Sequence, residues 1–282
     1  MVKRQSFFIL TVSILITSII AIQMVLYAVS IFAGCDMKLN MVSVCHSWLK
    51  EIGLSSLMHV LDGLVVYTLL FSLWKIGLQW IQMTKVKQHF QQYKERELTK
   101  KLNQVFKLGK ECIIVLSHPT PAAFTMGFIR PKIIITTGLY HLLNQEELEA
   151  VVAHEMYHKV NRDPLKVFLL SLSSSVMWYI PIQKWFYRQY KVVQEVLADE
   201  FAIQRQGTVV HLGSALVKMV RVGKQEKMPF TFVSFAATAV DLRIESILNP
   251  VHEFRLRLPI KTVFLSIVVF SIISGLFIYA LA

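Results

Sequence analysis

Hydrophobic and polar positions along the chain fall into three regimes. Residues 7–33, "FFILTVSILITSIIAIQMVLYAVSIFA", carry no charge, and further apolar stretches run over 54–83 and 262–282. As a helix the first would extend about 40 Å, more than the roughly 30 Å hydrocarbon core of a bilayer. Between 111 and 139 the pattern shortens. β-Branched runs at 112–116 and 132–137, separated by turns bearing proline and glycine, predict two or three strands of a small sheet. From 144 the period turns helical. Asn144 as N-cap, with Glu147 three residues on, predicts a capping box ahead of "LEAVVAHEMYHKV". Asp163 and Pro164 open a second helix that ends near Pro181, and a third covers about 183–206.

Composition sharpens this picture. The 282 residues are 54% hydrophobic and 17% charged, too apolar for an ordinary soluble domain, so the three stretches are predicted as transmembrane helices. The first is nearly twice as long as a signal-peptide core and is kept as a span. The net charge of +12 then reads as charge held on one side of a bilayer. No nucleic-acid-binding signature accompanies it, and no nucleic acid is expected as a partner.

Charge placement sets the orientation. The 34–54 loop balances Lys38 and Lys50 against Asp36 and Glu51, whereas 84–101 holds six basic and two acidic side chains. Arg255, Arg257 and Lys261 precede the last span. Basic residues collect on the cytoplasmic side. The N-terminus and 84–261 are therefore expected inside, the 34–54 loop and the C-terminus outside. Cys35 and Cys45 share the outer loop, as a disulfide or as two thiols. His59 and Asp62 lie near the outer end of the second stretch, where interfacial water can solvate them.

The candidate chemistry sits in "VVAHEMYHKV", residues 151–160. Positions i and i+4 of a helix share a face, so His154 and His158 can present imidazole nitrogens to one ion. Zinc takes four ligands tetrahedrally, with one position left to water in catalytic sites. Glu155 is placed to take a proton from that water. A third ligand is needed. The helix from Asp163 travels roughly 25 Å away and the next returns about 18 Å over twelve residues, which brings Glu195 of "EVLADE" level with the histidines. The same constraint bears on 165–185. It is apolar, yet a full crossing would separate Glu195 from the histidine pair, so it is expected as a hairpin arm, buried or dipping into the membrane face. Asp163 reads as a helix cap rather than a ligand.

The run "AAFTMGFIRPKIIITTGL…LNQEELEAVVAHEMYHKVNRDP…QEVLADEFAI…DLRIESIL" resembles the BlaR/MecR-type integral-membrane zinc metallopeptidases of the gluzincin group, and more distantly the HtpX and Ste24 membrane proteases. The resemblance covers roughly 105–250. It implies one zinc ion held by His154, His158 and Glu195, with Glu155 as general base. It also suggests that Asp199 orients a ligand histidine. The strand at Phe124, Thr125, Met126, Gly127 and Phe128 resembles the edge on which such enzymes lay an extended substrate. Such peptidases need an oxyanion donor, and Arg243 and His211 are the candidates. Sensor-transducers of that type continue past their last span into an extracellular penicillin-binding domain. This chain stops at Ala282, and direct β-lactam sensing by it is not expected.

The expected protein is thus a mainly α, multi-pass protein of the cell membrane. Its spans are 1–33, 55–83 and 259–282, joined by an outer loop at 34–54 and a basic linker at 84–101. A cytoplasmic gluzincin-like α+β peptidase domain at 102–258 combines a small sheet, a helix bundle and a membrane-facing helical hairpin. The expected activity is zinc-dependent cleavage of a protein substrate, by family analogy a transcriptional repressor or a membrane protein. Two alternatives stand beside it. One is a quality-control protease for membrane proteins. The other is a catalytically silent signalling scaffold that keeps the zinc site.

Overall fold

The computed structural model describes residues 2–33, 55–109, 111–222, 233–234, 243 and 258–281. The Cys35–Cys45 pair and the side chains of His59 and Asp62 lie outside the described residues. In chain order the elements are α1 (Val2–Ala33), α2 (Ser55–Gln92), α3 (Arg96–Val105), β1 (Ile113–Leu116), β2 (Ala123–Met126), β3 (Lys132–Thr136) and α4 (Thr137–Leu142). Then follow α5 (Gln145–Asn161), α6 (Asp163–Val176), α7 (Ile182–Gln206), α8 (Val210–Val222), β4 (Val233–Ser234) and α9 (Ile260–Leu281). Among the described residues one helix, over Val2–Ile22, is long and apolar enough to cross a bilayer, and Ile260–Val269 forms a shorter apolar helix.

The chain divides into two compact units. The first comprises Met1–Ser6, Trp80–Phe168 and Gln189–Arg255. Its sheet runs β1-β3-β2-β4, with β1 parallel to β3 and β2 antiparallel to both β3 and β4. Both faces are covered, which explains why β3 reads as an unbroken "KIII" run rather than as an alternation. On one face Ile113, Val115, Ala123, Ile133 and Ile135 pack with Val151 and Val152 of α5 and with Leu212 and Leu216 of α8. On the other, Phe124 and Ile134 meet Val86 and Phe90 at the end of α2.

The basic linker holds the end of α2 and the start of α3. The helix breaks at Tyr93–Glu95 because the main chain there pairs with β1: Glu95 N donates to Val115 O, and Ser117 N donates to Tyr93 O.

α5 starts where Asn144 and Glu147 form the expected capping box. The carboxylate of Glu147 also accepts from Ser214 Oγ at 2.6 Å and Lys218 Nζ at 2.7 Å, fastening the start of α5 to α8. α5 ends at Arg162, whose left-handed backbone (φ 53°) turns the chain so that Asp163 begins α6.

The second unit comprises Phe7–Gln79, Leu169–Arg188 and Leu256–Ala282. Its side chains are mostly apolar, and a few buried polar groups link its segments. Buried Ser13 hydrogen-bonds Gln183, Thr17 Oγ1 lies 2.8 Å from Ser173 Oγ, and Ile182 N donates to Ser266 Oγ at 3.0 Å. The segment expected as a hairpin consists of α6, a turn over 177–181 and α7. α6 stops at Val176, five residues short of Pro181.

Candidate metal centre

Two helices supply the centre. α5 places His154 and His158 one turn apart, and α7 does the same for Glu195 and Asp199. His154, Glu155, His158, Asp163, Glu195, Asp199 and Arg243 are all buried.

His154 Nε2 and His158 Nε2 face each other at 3.1 Å. Glu195 closes the triangle, with Oε2 3.5 Å from His154 Nε2 and Oε1 3.7 Å from His158 Nε2. On the far side of each ring an aspartate oxygen lies beside Nδ1, placed to favour a proton there: Asp199 Oδ1 at 2.8 Å from His154, Asp163 Oδ2 at 2.8 Å from His158. With Nδ1 protonated, each Nε2 turns a lone pair toward the other and toward a carboxylate. Among the described residues neither oxygen of Glu195 accepts a hydrogen bond, although Arg243 Nη1 lies 3.2 Å from Oε2. Such a cluster repels itself unless a cation fills it.

The donor set fits a zinc ion. Bonds of about 2.0–2.2 Å in a tetrahedron put ligand atoms roughly 3.3–3.5 Å apart, close to the spacings found. Charge agrees. Four buried carboxylates (Glu155, Asp163, Glu195, Asp199) meet one buried guanidinium, Arg243, with Lys166 Nζ 3.8 Å from Asp163 at the rim.

Titration follows from the same surroundings. Burial opposes ionisation of Asp199, but the charge of Arg243 and the contact with His154 win and hold its carboxyl down at about 2. Burial likewise disfavours a charged His158, yet its bond to Asp163 and the charge of Glu195 push it up to about 9 when a proton is the available cation. Burial moves Glu155 the other way, above the usual carboxylate range. Glu155 Oε2 accepts from Thr125 Oγ1 at 2.7 Å, while Oε1 has no hydrogen-bond partner among the described residues.

The structure therefore brings together His154, His158, Glu195, Glu155 and Asp199. Arg243, expected beside an oxyanion, instead commits its guanidinium to carboxylates: Nε and Nη2 reach Asp199 at 2.8 and 2.6 Å, and Nη1 lies 3.2 Å from Glu195 Oε2. His211 is the second residue of α8 and partly exposed, and among the described residues no bond joins it to the cluster. The expected edge strand at Phe124–Phe128 corresponds to β2 in part. β2 ends at Met126, and β4 pairs along its outer side, opposite Phe124 and Thr125. Gly127, at φ 113°, and Phe128 belong to the turn toward β3. A two-residue strand lies below what sequence periodicity detects.

Asp163 is the residue that sequence reasoning missed. It looks like a helix cap because it precedes proline. Only the left-handed turn at Arg162 returns its carboxylate to His158.

A sequence profile of the BlaR1 peptidase M56 family matches residues 10–247. The chain belongs to that family. Among curated M56-type and related proteins it is 20% identical to the regulatory protein BlaR1 of Bacillus licheniformis over 219 residues, 72% of this chain and 36% of that protein. It is 39% identical over 71 residues to a protease HtpX homologue of Caldanaerobacter subterraneus, covering 24% of this chain and 23% of the other. A second HtpX homologue, from Methanosarcina mazei, is 40% identical over 75 residues, 26% of each chain. The chain thus spans little more than a third, or less, of the curated relatives it matches. The family is one of peptidases, and the His154, His158 and Glu195 donor atoms lie within 4.8 Å of one another.

Proposed function

We propose that this chain is a membrane-embedded zinc endopeptidase that cuts a protein substrate at the cytoplasmic face. The observation that carries the reading is the convergence of His154 Nε2, His158 Nε2 and the Glu195 carboxylate beside Glu155, whose Oε1 has no hydrogen-bond partner among the described residues.

His154, His158 and Glu195 would hold zinc, which would supply Lewis acidity to a bound water (pKa about 7) and to the scissile carbonyl. The chain's own residues do the rest. Glu155 Oε1 takes the proton of the attacking water and gives it to the leaving amine nitrogen. Asp199 and Asp163 keep the two imidazoles in the Nδ1–H form and fix their rings. Arg243 steadies Asp199 and Glu195. An extended segment, β4, already pairs antiparallel with β2 at Phe124 and Thr125, which supports main-chain pairing as the way a substrate strand is held.

The setting is a membrane with three spans, α1, the first part of α2, and α9, with the N-terminus and catalytic unit inside. The distribution of lysine and arginine supports that orientation. Similarity to a relative named as a regulatory protein supports regulatory cleavage, with a transcriptional repressor as the substrate class that the BlaR/MecR resemblance suggests. The local identity of 39–40% to HtpX homologues favours a second reading, turnover of membrane proteins. Proteomics of a wild-type strain against one carrying Glu155→Gln separates these: a repressor that persists only in the variant supports the first, and accumulating membrane proteins support the second. The peptidase reading itself requires that Glu155→Gln keep zinc and lose cleavage.

A further inference from the structure

Thr125 puts a hydroxyl on an otherwise apolar face. On the side of the sheet that meets α5, β2 presents Ala123 and Thr125, while β3 presents Ile133 and Ile135. Thr125 is 1% exposed, and a hydroxyl so buried is unfavourable unless it is hydrogen-bonded. Valine would fill the same space and suit the strand equally well. The hydroxyl finds its acceptors on a single residue: Oγ1 lies 2.7 Å from Glu155 Oε2 and 3.0 Å from the Glu155 main-chain oxygen.

We propose that Thr125 is a positioning residue for the general base: its hydroxyl holds Oε2 of Glu155 so that Oε1 alone faces the reaction. The inference rests on the peptidase reading above. Glu155 lies on a helix and could rotate about its side-chain bonds. Thr125 sits in a strand paired on both sides, at Ile133 of β3 and Val233 of β4, so its oxygen is a fixed point. The proton inventory is consistent. A proton leaves water for Oε1 and later passes from Oε1 to the amine nitrogen. Oε2 accepts from Thr125 throughout, and the threonine proton never leaves its oxygen. The hydroxyl has one proton to donate, and Oε2 at 2.7 Å is the nearer of its two acceptors, the main-chain oxygen lying at 3.0 Å.

The test uses the full chain in detergent, as wild type, Thr125→Val, Thr125→Ser and Glu155→Gln. Metal per chain, thermal unfolding, and kcat and KM on fluorescein-labelled β-casein are measured. Cobalt(II)-loaded protein is also titrated with acetohydroxamate, a metal ligand that hands a proton to a neighbouring carboxylate, and followed by visible absorption. Thr125→Val should keep its metal and its unfolding temperature, lower kcat about ten- to a hundredfold with KM little changed, and bind acetohydroxamate correspondingly weakly. Thr125→Ser should recover most of both. Wild-type behaviour of Thr125→Val in kcat and hydroxamate affinity overturns the inference. So does loss of metal or fold in Thr125→Val, or equal impairment of Thr125→Ser. The hydroxamate titration decides the matter even if casein is not cut. Full turnover and hydroxamate binding in Glu155→Gln would instead reject the peptidase reading. An inert Glu155→Gln beside an unimpaired Thr125→Val rejects Thr125 alone.

Discussion

Asp163 Oδ2 lies 2.8 Å from Nδ1 of His158, five residues earlier in the chain. That bond leaves Nε2 of His158 as the lone-pair donor that zinc needs. Asp163→Asn keeps the size and the helix start but loses the charge. It should weaken zinc affinity about tenfold to a hundredfold, read by competition with a chromogenic chelator. Affinity unchanged in Asp163→Asn would reduce the residue to a helix cap.

Arg243 performs a parallel service from a distant part of the chain. Its guanidinium joins Asp199 bidentately and touches Glu195, so Arg243→Ala leaves two buried carboxylates facing each other. We expect metal retention and thermal stability to fall together, by about 3–5 kcal/mol in the latter. Arg243→Lys should rescue only part of this, since an ammonium cannot grip Asp199 with two parallel bonds. Full rescue by lysine would show that charge alone matters.

Glu147 governs the helix that carries both histidines. Its carboxyl is buried, which raises its pKa, but Lys218, Ser214 and the Asn144 main chain together pull it below the usual value of 4.5. A carboxyl lowered in the folded state contributes stability that is present above pH 4.5 and is lost as the pH falls through the folded value. Glu147→Gln should therefore unfold at lower temperature near neutral pH, with the gap to wild type closing in acid. A gap independent of pH would contradict this.

The proposed orientation predicts how single cysteines label. Cysteines placed in the 34–54 loop should react with a membrane-impermeant maleimide in intact cells. Those in 84–101 should react only after lysis. The reverse pattern would invert the topology.

The proposed ligand set is legible in the sequence because it depends on local geometry. Spacing of i and i+4 on one helix gives His154 and His158, and counting helical rise out and back gives Glu195. What escapes is set by single dihedral angles or by contacts between distant segments. The role of Asp163 needs the φ of 53° at Arg162. The Thr125–Glu155 bond needs the register of β2 against α5, which threonine in an apolar strand hints at but does not fix. β4 is two residues long and exists because β2 offers it an edge. The break at Tyr93–Glu95 arises the same way, since β1 recruits a segment whose own composition favours helix.

Zinc K-edge absorption spectroscopy on the purified full chain, with metal content measured on the same sample, tests the centre most directly. One zinc per chain is expected, with nitrogen and oxygen neighbours at about 2.0–2.2 Å, imidazole scattering from two rings, and loss of the metal in Glu195→Ala. A sulfur neighbour near 2.3 Å, or a zinc shell unchanged by Glu195→Ala, would contradict it.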